Sequence, residues 1–288
     1  MVRKSWRYDY DIDYHGRFNY MCGIFGIALL QGHTINDSKI VKVMLRRLAL
    51  QSEIRGGDAT GVAFATDSDI SVIKHNIGAK KFVEANFYKK ATELYLGEDL
   101  LKSGLRIILG HARLRTKGTP KDRNNNHPIV ANRVIGVHNG TIQNDDYLFN
   151  EFIKTFPNVF KRKARVDTEI IFRLINHYKH HVGMSMHDAI STSRKLLEGS
   201  YACAMLDAAS PWMLYLFRGL QPTKVVFYQK RGFILFASVR AFINDAVEGF
   251  DFEKEGVELE YSEESCLFIN TIANKITTFD FGKKSVEA

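Results

Sequence analysis

Three cysteines in 288 residues, Cys22, Cys203 and Cys266, are too few and too widely spaced for a disulfide framework or a zinc pattern. A reducing, cytoplasmic setting is therefore expected. Prolines number only 5, and there is no Pro/Ser linker or internal repeat. With 45% hydrophobic and 25% charged residues, the composition excludes disorder and low complexity. The longest mostly apolar run, Met21 to Leu30, is broken by two glycines and falls far short of the ~20 residues of a membrane span. Ahead of it, residues 1–20 alternate charges and tyrosines and lack the apolar stretch of a secretory signal. Neither a P-loop nor a dinucleotide glycine fingerprint occurs. No charge sign dominates locally, although 40 Lys+Arg against 32 Asp+Glu leaves +8. The short basic run at 161–165 reads as a solvated loop ahead of a helix rather than a nucleic-acid site.

What is present is a succession of short strand-like and helix-like segments. Residues 22–30, 61–66, 70–75, 105–111 and 133–138 are rich in Ile, Val, Leu or Phe and bounded by Gly or Asn/Asp, so they read as strands. A second batch follows at 201–206, 212–217, 224–229, 233–238 and 265–270. Helical periodicity covers 37–52, 79–96, a segment opened by Asp167 and Thr168, and 186–198. Two batches of strands with the strongest helices between them predict an α+β layered fold with mainly antiparallel strands. The simplest division is a leader or mis-assigned start over 1–21 and one domain over 22–288.

Five clusters carry candidate chemistry, and each has a plain structural reading beside it. Cys22 enters a strand, where a cysteine ordinarily acts as a small buried hydrophobe. It also directly follows Met21, so initiation at Met21 or cleavage after it would leave an N-terminal cysteine with an α-amine of pKa ~7.7–8.0 as its own base. Arg55-Gly56-Gly57-Asp58 is a helix stop and loop, or part of a pocket. Gly110 to Gly118 is an exposed basic loop, or a carboxylate clamp through the Arg113 guanidinium. Asn139-Gly140 is a turn, or a pair of oxyanion donors. Asp167 caps a helix, which is a sufficient role by itself. His177, His180 and His181 lack the acidic residue that would complete a metal spacing, and no metal or other cofactor is expected.

Taken in order, the pieces CGIFG at 22–26, LRRL at 45–48, RGGDATG at 55–61, GHARLRTKG at 110–118, NHP at 126–128, VHNG at 137–140 and VDTE at 166–169 resemble one family. It is the glutaminase domain of class II glutamine amidotransferases, the N-terminal-nucleophile (Ntn) hydrolases, and most of all that of glucosamine-6-phosphate synthase. Gly199-Ser200-Tyr201, Arg218-Gly219 and Ala237-Ser238 also fall where such a domain has them, so the resemblance spans about residues 22–270.

The resemblance implies a four-layer αββα sandwich of two mainly antiparallel sheets. It implies that the Cys22 thiol attacks the side-chain amide of L-glutamine with its own α-amine as base, and that Asn139 and Gly140 hold the oxyanion. Arg113 would grip the substrate α-carboxylate with help from Thr116 and Lys117, and Asp167 the α-ammonium. Arg55 and Gly56 would shape the pocket around the cysteine, and His127 of the NHP motif joins the substrate-binding set. Two positions depart from the pattern: Leu114 stands where Trp is usual, and Lys117 replaces a His. With 267 residues after the leader spent on one domain, the released ammonia is expected to go to a separate acceptor synthase subunit, with no nucleic acid or membrane involved. Retention of the leader would instead leave a catalytically silent glutamine-binding or interaction module.

Overall fold

A computed structural model describes residues 22–35, 37–97, 100 and 103–282; the leader expected over 1–21 lies outside the described residues. In chain order the elements are β1 (Gly23–Leu29), α1 (Ser38–Glu53), β2 (Ala59–Thr66), β3 (Ile70–His75), α2 (Ala79–Glu84), α3 (Asn86–Tyr95) and β4 (Leu105–Arg113). There follow β5 (Ile129–Ala131), β6 (Val134–Ile142), α4 (Asp145–Thr155), α5 (Thr168–His180) and α6 (Met186–Arg194). The chain continues through β7 (Gly199–Asp207), β8 (Ser210–Arg218), β9 (Lys224–Tyr228), β10 (Phe233–Ala237), α7 (Arg240–Val247), β11 (Val257–Glu258), β12 (Ser265–Asn270) and β13 (Lys275–Asp280).

The strands form two sheets, ordered β11-β9-β10-β1-β4-β2-β3 and β13-β12-β8-β7-β6-β5, and the strand pairs are antiparallel throughout. Three apolar layers hold them. Ile24, Ala28, Ala63, Leu109, Val137, Ala202, Ala204 and Phe236 fill the space between the sheets. Phe25, Ile27, Met44, Leu48, Phe64 and Phe242 join the first sheet to α1 and α7. Phe172, Ile175, Ile190, Cys203 and Met205 join the second to α5 and α6. The result is the expected αββα sandwich. Because β1 is buried on both faces, its alternating residues serve two different cores, which is why it reads as an unbroken apolar run. Each fully buried Phe in these layers contributes roughly 1.5–3 kcal/mol.

The helix expected over 79–96 is two helices, since Ala85 adopts an extended conformation (φ −71°, ψ 145°) between them. That break lets Phe82 of α2 and Tyr88 of α3 both turn inward. The helix expected over 186–198 ends at Arg194. Helices α4 and α7 and strands β5, β11 and β13 were not foreseen. No helix among the described residues is long and apolar enough to cross a membrane.

Candidate active site

Antiparallel pairing brings the start of β1, the end of β4 and the start of β2 to one rim of the sandwich. Gly23 lies opposite Ala112, and Ala59 opposite Arg113. Cys22 sits at this rim, half-buried, ahead of β1. Its Sγ accepts from the Leu114 backbone N–H at 3.3 Å and donates to the Leu114 carbonyl at 3.4 Å. Among the described residues no side chain hydrogen-bonds to Sγ. Burial is the dominant influence and pushes the thiol from its ordinary 9.0 to about 11; the Leu114 bond and the Arg113 and Arg55 charges oppose the rise, and Asp167 adds to it.

The residues around the thiol are held from behind. Arg55 Nε donates to the Cys22 carbonyl at 3.1 Å. Gly56 packs on the Arg113–Leu114 peptide so tightly that a Cβ there would lie 2.3 Å from Leu114 N. Arg113, 2% exposed, donates from Nη1 to Asn126 Oδ1 at 2.8 Å and from Nη2 to the Lys117 and Gly118 carbonyls at 2.5 and 3.0 Å. Those bonds use three of its five N–H groups. Asp167 caps α5, and its two oxygens accept from Thr168 N at 3.0 Å and Ile142 N at 2.8 Å, so the cap also ties α5 to the end of β6.

Asn139-Gly140 is no turn. Both residues lie inside β6, paired with Ala202 and Tyr201 of β7. Gly140 has φ +122°, and a Cβ on it would sit 2.0 Å from the Ser200 carbonyl oxygen, so only glycine fits. The Asn139 Nδ2 donates to Ser238 Oγ at 2.6 Å, and the same hydroxyl accepts from Ile24 N at 2.8 Å. A single side chain thus links the asparagine to β1, two residues from Cys22. Nδ2 carries two hydrogens, and this bond uses one.

Two residues expected at the substrate are engaged within the fold. His127 is buried, its Nε2 lies 3.0 Å from Thr168 Oγ1, and its ring stacks on His111. The physical reason is that Asn125 and Asn126 tie the preceding loop inward, through Asn125 Nδ2 to Thr119 O and Asn126 Nδ2 to Pro120 O. Lys117 is tied to the start of the next helix. Its Nζ bonds Asp145 at 2.9 and 2.7 Å and Asp146 at 2.8 Å, at the start of α4. Burial works against the ammonium, but the bonds to the two carboxylates prevail and raise its pKa. Arg162 joins the same carboxylates, Nη2 lying 3.0 Å from Asp145. Thr116 is exposed on the loop between Leu114 and Lys117. Asn126 and Ser238 show no role in the sequence beyond their places inside NHP and directly after a strand.

A cysteine at the open end of the first strand of an αββα sandwich, under the charges of two arginines and of an aspartate that caps a helix, has the architecture of the Ntn hydrolases. A family model described as a glutamine amidotransferase domain matches residues 111–245. The glutamine–fructose-6-phosphate aminotransferase (isomerizing) of Sulfolobus acidocaldarius is 38% identical over 184 residues, covering 63% of this chain and 28% of that protein. The enzyme of the same name from Clostridium perfringens is 30% identical over 269 residues, 93% of this chain and 38% of that one. Among solved structures, the glutamine phosphoribosylpyrophosphate amidotransferase of B. subtilis superposes with a TM-score of 0.61 at 20% identity, over 92% of this chain and 50% of that one. The chain spans about a third of the length of the curated relatives it matches. It belongs to the class II glutamine amidotransferase family.

Proposed function

We propose that the chain hydrolyses the side-chain amide of L-glutamine, with Cys22 as nucleophile. One observation carries the reading: a thiol at the rim of the sandwich whose hydrogen-bond partners are both backbone atoms, Leu114 N and O. With its pKa near 11 the thiol needs a base, and no side chain bonded to it supplies one. The remaining basic atom is the cysteine's own nitrogen, which becomes an amine once the peptide bond to Met21 is hydrolysed, whether translation begins at Met1 or at Met21.

In this mechanism the amine takes the thiol proton while sulfur attacks the amide carbon. The oxyanion is held by the second hydrogen of Asn139 Nδ2 and by the Gly140 backbone N–H, donors of a kind whose loss typically costs ~10²–10³ in rate. Collapse expels ammonia, which takes the proton back, and leaves a γ-glutamyl thioester that water hydrolyses to glutamate. The uncommitted N–H groups of Arg113 bind the α-carboxylate, and Asp167 with the Gly140 carbonyl accepts from the α-ammonium. Thr116 assists at the carboxylate, and Lys117 acts by pinning its loop. Arg55 and Gly56 fix the Cys22 backbone. Ammonia then passes to a separate acceptor synthase in the cytoplasm; the relatives named above are aminotransferases and amidotransferases.

The test is glutamate release by purified protein whose N-terminus is read by intact mass. Wild type starting at Cys22 releases glutamate and is labelled by 6-diazo-5-oxo-norleucine, and Cys22→Ala does neither. Undiminished turnover by Cys22→Ala rejects the mechanism. A silent glutamine-binding module is the second reading, favoured by the peptide bond on the Cys22 nitrogen; it expects glutamine binding without turnover in a chain that still begins at Met1.

A further inference from the structure

Beneath the rim lies a cluster of polar side chains to which the reaction above gives no part. Thr168 Oγ1 is within 3.0 Å of His127 Nε2 and 2.9 Å of His138 Nδ1. His111 Nε2 lies 3.1 Å from the His138 carbonyl oxygen, and its ring stacks on that of His127 with centroids 4.1 Å apart. All four residues are at most 5% exposed. Their partners are the Thr168 hydroxyl, the His138 carbonyl, the Asn139 side chain and the Ser200 backbone, and burial drives all three imidazoles toward the neutral form.

Proton inventory fixes much of the pattern. A carbonyl only accepts, so His111 carries its proton on Nε2 and keeps a lone pair on Nδ1. Thr168 has one proton to give, so at least one of His127 Nε2 and His138 Nδ1 must donate to it. Among the described residues His127 Nδ1 is buried without a hydrogen-bond partner, so the network is not fully satisfied. An apolar core would serve the fold better than a half-satisfied polar one. Such a cost is found where it serves a site.

Three members are one or two residues from a group assigned to glutamine, and the fourth is next to a residue that holds one. His138 precedes Asn139 and Gly140, Thr168 follows Asp167, and His111 lies two before Arg113. His127 follows Asn126, whose Oδ1 accepts from Arg113.

We propose that the Thr168 hydroxyl is a positioning group that, through His138, His127 and His111, sets the spacing between the amino-acid clamp and the oxyanion donors. The proposal rests on the glutaminase reading. Thr168 touches no substrate in this scheme. Asp167 keeps its two backbone donors, Thr168 N and Ile142 N, whatever the side chain at 168. Loss of the hydroxyl therefore acts on Asn139 and Gly140 more than on the clamp.

The test compares wild type, Thr168→Val and Thr168→Ser as full-length gene products, by steady-state glutamate release and thermal unfolding. Thr168→Val, nearly isosteric, is expected to fold and to lose ~10- to ~100-fold in kcat, the scale of a small misplacement, with KM changed less than about threefold. Thr168→Ser, which keeps the hydroxyl, is expected to stay within about threefold of wild type in kcat. Should Thr168→Val not fold, Thr168→Ala carries the same comparison. An active Thr168→Val, an equally impaired Thr168→Ser, or failure of both Val and Ala variants to fold overturns the inference while leaving the glutaminase reading intact. A wild type that releases no glutamate overturns both.

Discussion

Cys22 is half-buried at the rim and, as a thiol, poorly ionised. With Met21 attached, its thiol has a pKa near 11, raised first by burial. Alkylation by iodoacetamide in that form should therefore climb about tenfold per pH unit from 7 toward 10, because only thiolate reacts. A rate that levels off near pH 8–9 would show that the thiol is not held up. Gly140 is constrained from two sides, by its left-handed φ and by the Ser200 carbonyl 2.0 Å from any added Cβ. Gly140→Ala must shift β6 against β7 and is expected to lower kcat at least ~100-fold, the scale of a lost oxyanion donor. Asp167→Asn removes the charge proposed to meet the substrate ammonium but can still cap α5, so it should raise KM more than it lowers kcat. Steady-state kinetics on the two variants separate these roles.

At the scale of elements, the loop after β4 is the part most dependent on its neighbours. Lys117 bridges it to Asp145 and Asp146 in the first turn of α4, carboxylates that Arg162 also meets and that suit the positive end of the helix dipole. Lys117 is partly exposed, so the anchor is modest and salt-sensitive. Lys117→Met is expected to raise the glutamine KM up to roughly fivefold, the worth of an ion pair of ~1 kcal/mol. The wild-type KM should rise with added salt and that of the variant should not, which is measured by titrating NaCl. This network was not legible beforehand, because α4 is amphipathic over only three turns and its acidic start looks like any solvated helix cap. The split between α2 and α3 was hidden for a related reason: Ala85 has no helix-breaking chemistry, and packing of Phe82 and Tyr88 decides its conformation. By contrast β1, α1 and α5 were plain, each having a strong apolar pattern and, in the helices, an aspartate cap.

For the whole molecule, the three buried histidines link stability to pH. His111 is held down by burial from its ordinary 6.5 to about 3, and His127 and His138 are lowered in the same direction. Below pH 6.5 the unfolded chain takes up protons that the folded chain refuses, so stability falls as pH falls and continues to fall toward 3. His111 alone contributes a slope of about 1.4 kcal/mol per pH unit within that window. Urea unfolding at pH 7, 6 and 5 measures it, and stability unchanged between pH 6.5 and 5, where carboxylates scarcely titrate, would contradict burial of the neutral rings.

The amino-acid sequence by itself determined the layer pattern and the chemical types at the rim. Periods of apolar residues specify which faces must be buried, and a cysteine, guanidiniums, an asparagine-glycine pair and an aspartate have their reactivity written into their covalent structure. Only tertiary structure decided which of them meet. Antiparallel pairing carries Cys22 to Leu114 across 92 residues and Asn139 to Ser238 across 99. It turns the asparagine-glycine pair into strand rather than loop, buries His127, and spends Lys117 on α4. Such outcomes depend on hydrogen-bond partners far apart in the chain, and residue spacing along one dimension carries no record of distance in three.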